Sequence, residues 1–182
     1  GRRLIDIYPK VVLYRYNYAL YAMYAGRFDI AEAEARRTLE LNPQAPKAYL
    51  ALAMAALARG DADAAARAYE SAVKAGPRGE SLRDIGLADL AMFQGRYADA
   101  VSLLRQGVER DRTRGNTAGA AGKSVALAQA LLRLGDSAAA AAAIAGVVGG
   151  AVVEQLDSLG RGIELEVEES PLDKPTAPQW HS

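Results

Sequence analysis

One stretch of the chain has the residue types to hold a phosphate. Thr117-Ala118-Gly119-Ala120-Ala121-Gly122-Lys123-Ser124 ends in the Gly-Lys-Ser of a nucleotide-binding loop. In such a loop glycines let backbone N–H groups wrap the phosphate, the lysine neutralises it and the hydroxyl holds a cation. The loop also needs a glycine five residues before its Gly-Lys-Ser, and Thr117 stands there. No strand pattern precedes the stretch and no acidic strand motif follows it. It reads as a glycine-rich approach to a helix. Other chemistry is scarcer still. The single histidine is His181, so a Ser-His-Asp or Cys-His arrangement has no base to use. The acidic pairs Glu32 and Glu34, or Asp61 and Asp63, lie at helix starts and on charged faces, where carboxylates are ordinary surface groups. Glu164, Glu166, Glu168 and Glu169 form an acidic run, either solvated or able to dock a partner or a metal. The expectation is no catalytic residue, no cofactor and no metal site.

Totals narrow the class further. Lys plus Arg is 22 and Asp plus Glu is 22, giving a formal charge of zero. A nucleic-acid partner would call for a basic stripe, so none is expected. The absence of cysteine rules out disulfides and thiolate zinc sites, and it permits a reducing compartment. No apolar run approaches the roughly 20 residues of a membrane helix. The chain starts Gly1-Arg2-Arg3-Leu4, without Met and without a signal-peptide pattern. It reads as a piece of a longer protein in the cytoplasm, with no membrane insertion.

The elements that hold these residues repeat. Gly26 lands on Gly60 when the chain slides by about 34, and Pro9, Pro43 and Pro77 fall in the same phase. Residues 1–10 form the end of a preceding unit, since Leu4, Ile5 and Ile7 before Pro9 mirror Thr38, Leu39 and Leu41 before Pro43. That predicts further repeats upstream. The units are 11–44, 45–79, 80–116 and 117–150, each a helix, a tight turn and a second helix. The first helix of the first unit is predicted over Val12 to Ala25 and the second from Asp29 to Leu41. Asp61 follows Gly60 as an N-cap. The third unit slips by one residue, placed in a turn at Pro77-Arg78-Gly79, and Arg112 replaces the closing proline. The fourth slips by about five, giving a longer connection around 113–117 or a longer first helix. Gly149-Gly150 breaks the chain. Residues 151–159 read as a cap helix, Ile163 to Glu169 alternates apolar and acidic residues as an extended segment would, and 170–182 reads as a disordered tail.

The second unit carries a specific resemblance. Tyr49, Leu52-Ala53 and Ala56, then Ala65, Tyr69 and Pro77, resemble the tetratricopeptide repeat, written W-x2-L-G-x2-Y, A-x3-F and P. Arg15 and Asp84 depart from it at the Trp place. The resemblance covers about residues 4–150 and implies an all-α right-handed superhelix of about four hairpins, an α-solenoid that binds proteins. The wording Leu39-Glu40-Leu41-Asn42-Pro43 and Gly86 to Ala91 is also similar to arrays behind kinase or other effector domains of large bacterial signalling proteins.

In that family the first helices line a concave groove. The likeness places Tyr16, Leu20, Met23 and Tyr24 there, then Leu50, Met54 and Leu57, then Ile85, Asp89, Met92 and Phe93, then Val125, Gln129, Leu132 and Arg133. The first helix alone holds Tyr14, Tyr16, Tyr18, Tyr21 and Tyr24, and all three methionines fall in this set. Apolar residues on every side of a helix mean burial or a cover, and methionine adapts to varied apolar ligands. Two readings stay open: a protein or peptide partner docks across the face, or the residues pack within the array. Some members clamp a chaperone's C-terminal carboxylate with Lys and Asn; here Leu13, Tyr16, Leu20, Leu50 and Met54 replace that set, beside Lys47. The expected ligand is an apolar or amphipathic segment. The rival is a spacer or self-association module of a larger signalling or envelope-assembly protein.

Overall fold

A glycine closes each tight turn for a stereochemical reason. In the computed structural model, which describes residues 2–147, Gly26, Gly60, Gly95, Gly115 and Gly135 all have φ between +69° and +81°. This left-handed conformation ends a helix and lets the next N–H reach back five residues, as from Arg27 to the Ala22 carbonyl at 2.8 Å. The same bond runs from Asp61 to Ala56, Arg96 to Ala91, Asn116 to Asp111 and Asp136 to Leu131. After three of these glycines the next residue, Asp61, Asn116 or Asp136, caps the following helix with its side chain. Asp61 accepts from the Ala64 N–H at 2.8 Å and Asp136 from Ala139 at 2.9 Å. Replacing Asp61 by alanine should lower stability by about 1 kcal/mol in urea denaturation, since one orphan N–H loses its acceptor.

The helices run in order: α1 Arg2–Ile7, α2 Val12–Tyr24, α3 Phe28–Leu41, α4 Pro46–Ala58, α5 Ala62–Ser71, a 3-10 turn Ala72–Ala75, α6 Gly76–Phe93, α7 Tyr97–Thr113 and α8 Thr117–Arg133. The chain is helical again over 137–147. Each helix packs on the next, and α2, α4, α6 and α8 also touch in succession. That is a solenoid of stacked hairpins. Its core is largely alanine: Ala31, Ala35, Ala51, Ala53, Ala65, Ala88 and Ala100 are fully buried, so helix backbones approach closely. The cap helix, the acidic run and the tail expected beyond 147 lie outside the described residues.

Two expectations are corrected. Pro77-Arg78-Gly79 is not a turn but the start of α6, with Pro77 in its opening turn, where its missing N–H is harmless. Gly76, at φ +67°, makes the bend instead. Of the two readings at 113–117, the longer connection does not exist, while the first helix of the fourth unit is indeed longer, 17 residues in α8 against 13 in α2 and α4. Arg112 cannot stop a helix as proline does, so α7 runs on to Thr113, and the link to α8 is the ordinary glycine turn at Gly115.

At two of the Trp places the same contact recurs, hidden from the sequence. Tyr49 Oη donates to the Pro43 carbonyl at 2.9 Å, and one repeat earlier Arg15 Nε donates to the Pro9 carbonyl at 2.7 Å. A side chain at this place ties the first helix to the proline that closes the preceding unit. Arg15 also pairs with Glu34 at 2.7 Å, which neutralises a largely buried guanidinium.

Candidate functional site

The first helices put a row of side chains on one face. At its start Lys47 Nζ lies 5.8 Å above the Tyr16 ring, joining α2 to α4 by a cation–π contact. Tyr16, Leu50, Met54, Leu57, Ile85 and Met92 are half-buried and rest on the alanine core. Leu20 and Met23 are buried in that core with Ala19 and Ala22, so they are packing residues and offer little to a ligand. A helix apolar all round does not say which side meets its neighbours, and here those two face α3 and α4.

The open residues share a place in the repeat. Tyr24, Phe93 and Arg133 are the last residues of α2, α6 and α8, and Ala58 is the last of α4. Tyr24 is 75 % exposed and Phe93 86 %. Asp89, Val125, Gln129 and Leu132 are exposed as well. Desolvation pushes the Asp89 carboxyl above its ordinary value although its surface is open, since the neighbouring helices exclude water from one side. The face is thus apolar toward α2 and α4 and more polar toward α8. Sequence reading missed Tyr21, which stands exposed next to this row; its aromatic type in a tyrosine-rich helix was the available signal.

The phosphate-like stretch has a different role. Lys123 is only 2 % exposed, and its Nζ donates to Asp111 Oδ2 and to Ser81 Oγ, the latter at 2.6 Å. Ser81 Oγ donates in turn to Asp111 at 2.9 Å. One turn away Asp84, also 2 % exposed, is held by Arg83 at 2.8 Å and Arg110 at 2.9 Å. These residues join α6, α7 and α8 where α7 outruns the ordinary repeat. The lysine is consumed by the network and has no face open to a ligand. Among the described residues every buried side-chain nitrogen and oxygen has a partner, and no three metal-ligating side chains converge.

Acid should loosen this network. Burial pushes the Asp111 carboxyl up, but hydrogen bonds from Lys123, Ser81 and Asn116 and the Lys123 charge outweigh it, so its pKa lies below the ordinary value. Its folded pKa is therefore lower than the unfolded one, near 3.9. The resulting stability is complete above that value and disappears as pH falls through the folded pKa. Thermal melts stepped down from about pH 5 to 2 should show a falling Tm, and the Asp111→Asn variant a smaller fall.

The comparisons agree with the stacking. The tetratricopeptide repeat family matches residues 16–80 and 85–151, most of the chain. The chain belongs to the tetratricopeptide repeat family. A curated relative, the Hsp70-Hsp90 organizing protein of Triticum aestivum, is 44 % identical over 63 residues, which is 35 % of this chain and 11 % of that protein. The chain therefore spans about a tenth of that relative's length. This tetratricopeptide repeat protein is a protein–protein interaction module, and no helix among the described residues is long and apolar enough to cross a membrane.

Proposed function

We propose that the array binds the apolar face of an amphipathic helix from a protein partner, laid along the first helices. The observation that carries this is the pair Tyr24 and Phe93, aromatic residues at matching helix ends and the two most exposed large apolar side chains among the described residues. Aromatic side chains at a surface contribute large area at small entropic cost, and they dominate interface energies. Between them Tyr16, Leu50, Met54 and Leu57 form a half-buried apolar floor, and grooves of this kind read an apolar stripe at i, i+3, i+4 and i+7. The wheat relative is named for organizing Hsp70 and Hsp90. A chaperone tail held by its terminal carboxylate fits poorly, because Leu13, Tyr16, Leu50 and Met54 are uncharged and the nearby cation, Lys47, lies over the Tyr16 ring.

Displayed peptide libraries selected on the full chain should yield sequences with that apolar spacing. Tyr24→Ala with Phe93→Ala should weaken the selected peptides by at least about tenfold in Kd, as loss of aromatic anchors does, with helicity unchanged by circular dichroism. Equal affinity for the double variant would remove the face from consideration. The spacer or self-association reading draws on the same exposed aromatics. Sedimentation over a range of concentrations separates them, since a module that pairs with itself changes mass on dilution.

A further inference from the structure

A second cleft lies away from the concave face, between α3, α4 and α5. It encloses about 530 Å³, within the range of ligand sites. Its floor is apolar, formed by Leu39, Pro43, Leu52 and Ala56. Its rim is cationic: Arg36, Arg59, Arg67 and Lys74 against one carboxylate, Glu32. Glu32 is engaged by Arg36 at 2.7 Å and by Arg59, and these two hold its pKa down against the effect of burial. Arg67 and Lys74 are exposed and form no ion pair among the described residues. A greasy floor under spare positive charge suits a segment that carries apolar and acidic residues in turn.

The chain contains such a segment. Ile163-Glu164-Leu165-Glu166-Val167-Glu168-Glu169 alternates with a period of two, a pattern that an extended strand would sort into an apolar side and an acidic side. We propose that this segment occupies the cleft of its own chain, with Ile163, Leu165 and Val167 over the floor and the glutamates beside Arg67 and Lys74. The connection is long enough. Residues 148–162 separate the last described helix from Ile163, and at full extension they span about 50 Å. From the 137–147 helix back through α8, α7, α6 and α5 to α4, five steps of about 8–10 Å between packed helices add to about 40–50 Å, which the connection reaches when extended. Charge balance agrees: the chain is neutral as a whole while this cleft is not.

The absence of cysteine makes the test direct. A nitroxide on Ser170→Cys of the full chain should broaden the amide resonances of Ala64, Ala68 and Ser71. Arg67→Glu with Lys74→Glu should abolish the broadening, and adding Glu164→Lys with Glu166→Lys should restore it. Should the reversal variant fail to fold, salt raised to about 0.5 M on the otherwise unaltered labelled chain gives the same reading, because rim charges are screened. The proposal is overturned if these resonances stay sharp, if broadening ignores both charge reversal and salt, or if it appears only between labelled and unlabelled copies, which would make the occupant a second chain. None of these outcomes touches the concave face.

Discussion

Replacing Lys123 by methionine is expected to lower the unfolding free energy by about 3–5 kcal/mol, a large share of what an ordinary domain has. The stem of methionine fills much of the same volume, so lost packing contributes little. The loss comes from Asp111, which stays buried with its carboxylate facing an apolar sulfur in place of an ammonium. Ser81 still donates to it at 2.9 Å, but a hydroxyl does not neutralise the charge. Urea denaturation at neutral pH would measure the effect. Two further results follow from the same cause. Adding Asp111→Leu should recover most of the loss, because removing both charges costs far less than stranding one. In Lys123→Met alone, the charge and hydrogen bond that held the Asp111 pKa down are gone, so it rises, and the acid-induced loss of stability expected of the parent shrinks. A Lys123→Met chain as stable as its parent would mean the network does not form.

That network also marks where sequence reading runs out. The turn glycines Gly26, Gly60, Gly95 and Gly135 were legible because each fixes a backbone conformation locally, and the conformation recurs with the period. Gly26 and Gly60 have nearly the same φ, and nothing distant decides it. Lys123, Asp111 and Ser81 are spread over three helices, and no spacing rule links them. Arg15 and Asp84 at the Trp place looked like weak copies of the repeat; each is instead a buried charge with a partner from another helix or turn. The slip of about five residues before the fourth unit had two readings, a longer connection or a longer first helix, and local propensity does not separate them. Tertiary packing against α6 and α8 does. The concave face was half legible. The family likeness identified the row, but Leu20 and Met23 are turned into the core, where they pack with Ala31 and Ala48.

The joint between the second and third hairpins yields the other large effect. Gly79 lies in α6, where alanine is normally better by about 1 kcal/mol. A Cβ there, however, would stand 1.8 Å from the Ala72 carbonyl oxygen and 2.8 Å from its carbon. Those are backbone atoms of the 3-10 turn and cannot rotate aside, so the turn or the helix must shift. Gly79→Ala should therefore cost about 2–3 kcal/mol, in the range of overpacked cores. Gly122 is the matched control. It too is helical, a Cβ meets nothing within 4 Å, and Gly122→Ala should stabilise by about 0.5–1 kcal/mol while destroying the Gly-Lys-Ser pattern. Denaturation of the two variants side by side thus separates steric approach from helix propensity. If Gly79→Ala proved as stable as Gly122→Ala, α6 would not ride on the 3-10 turn. The register that carries the concave face from Leu57 across to Ile85 would then be wrong, and a single helix could not lie flat along it.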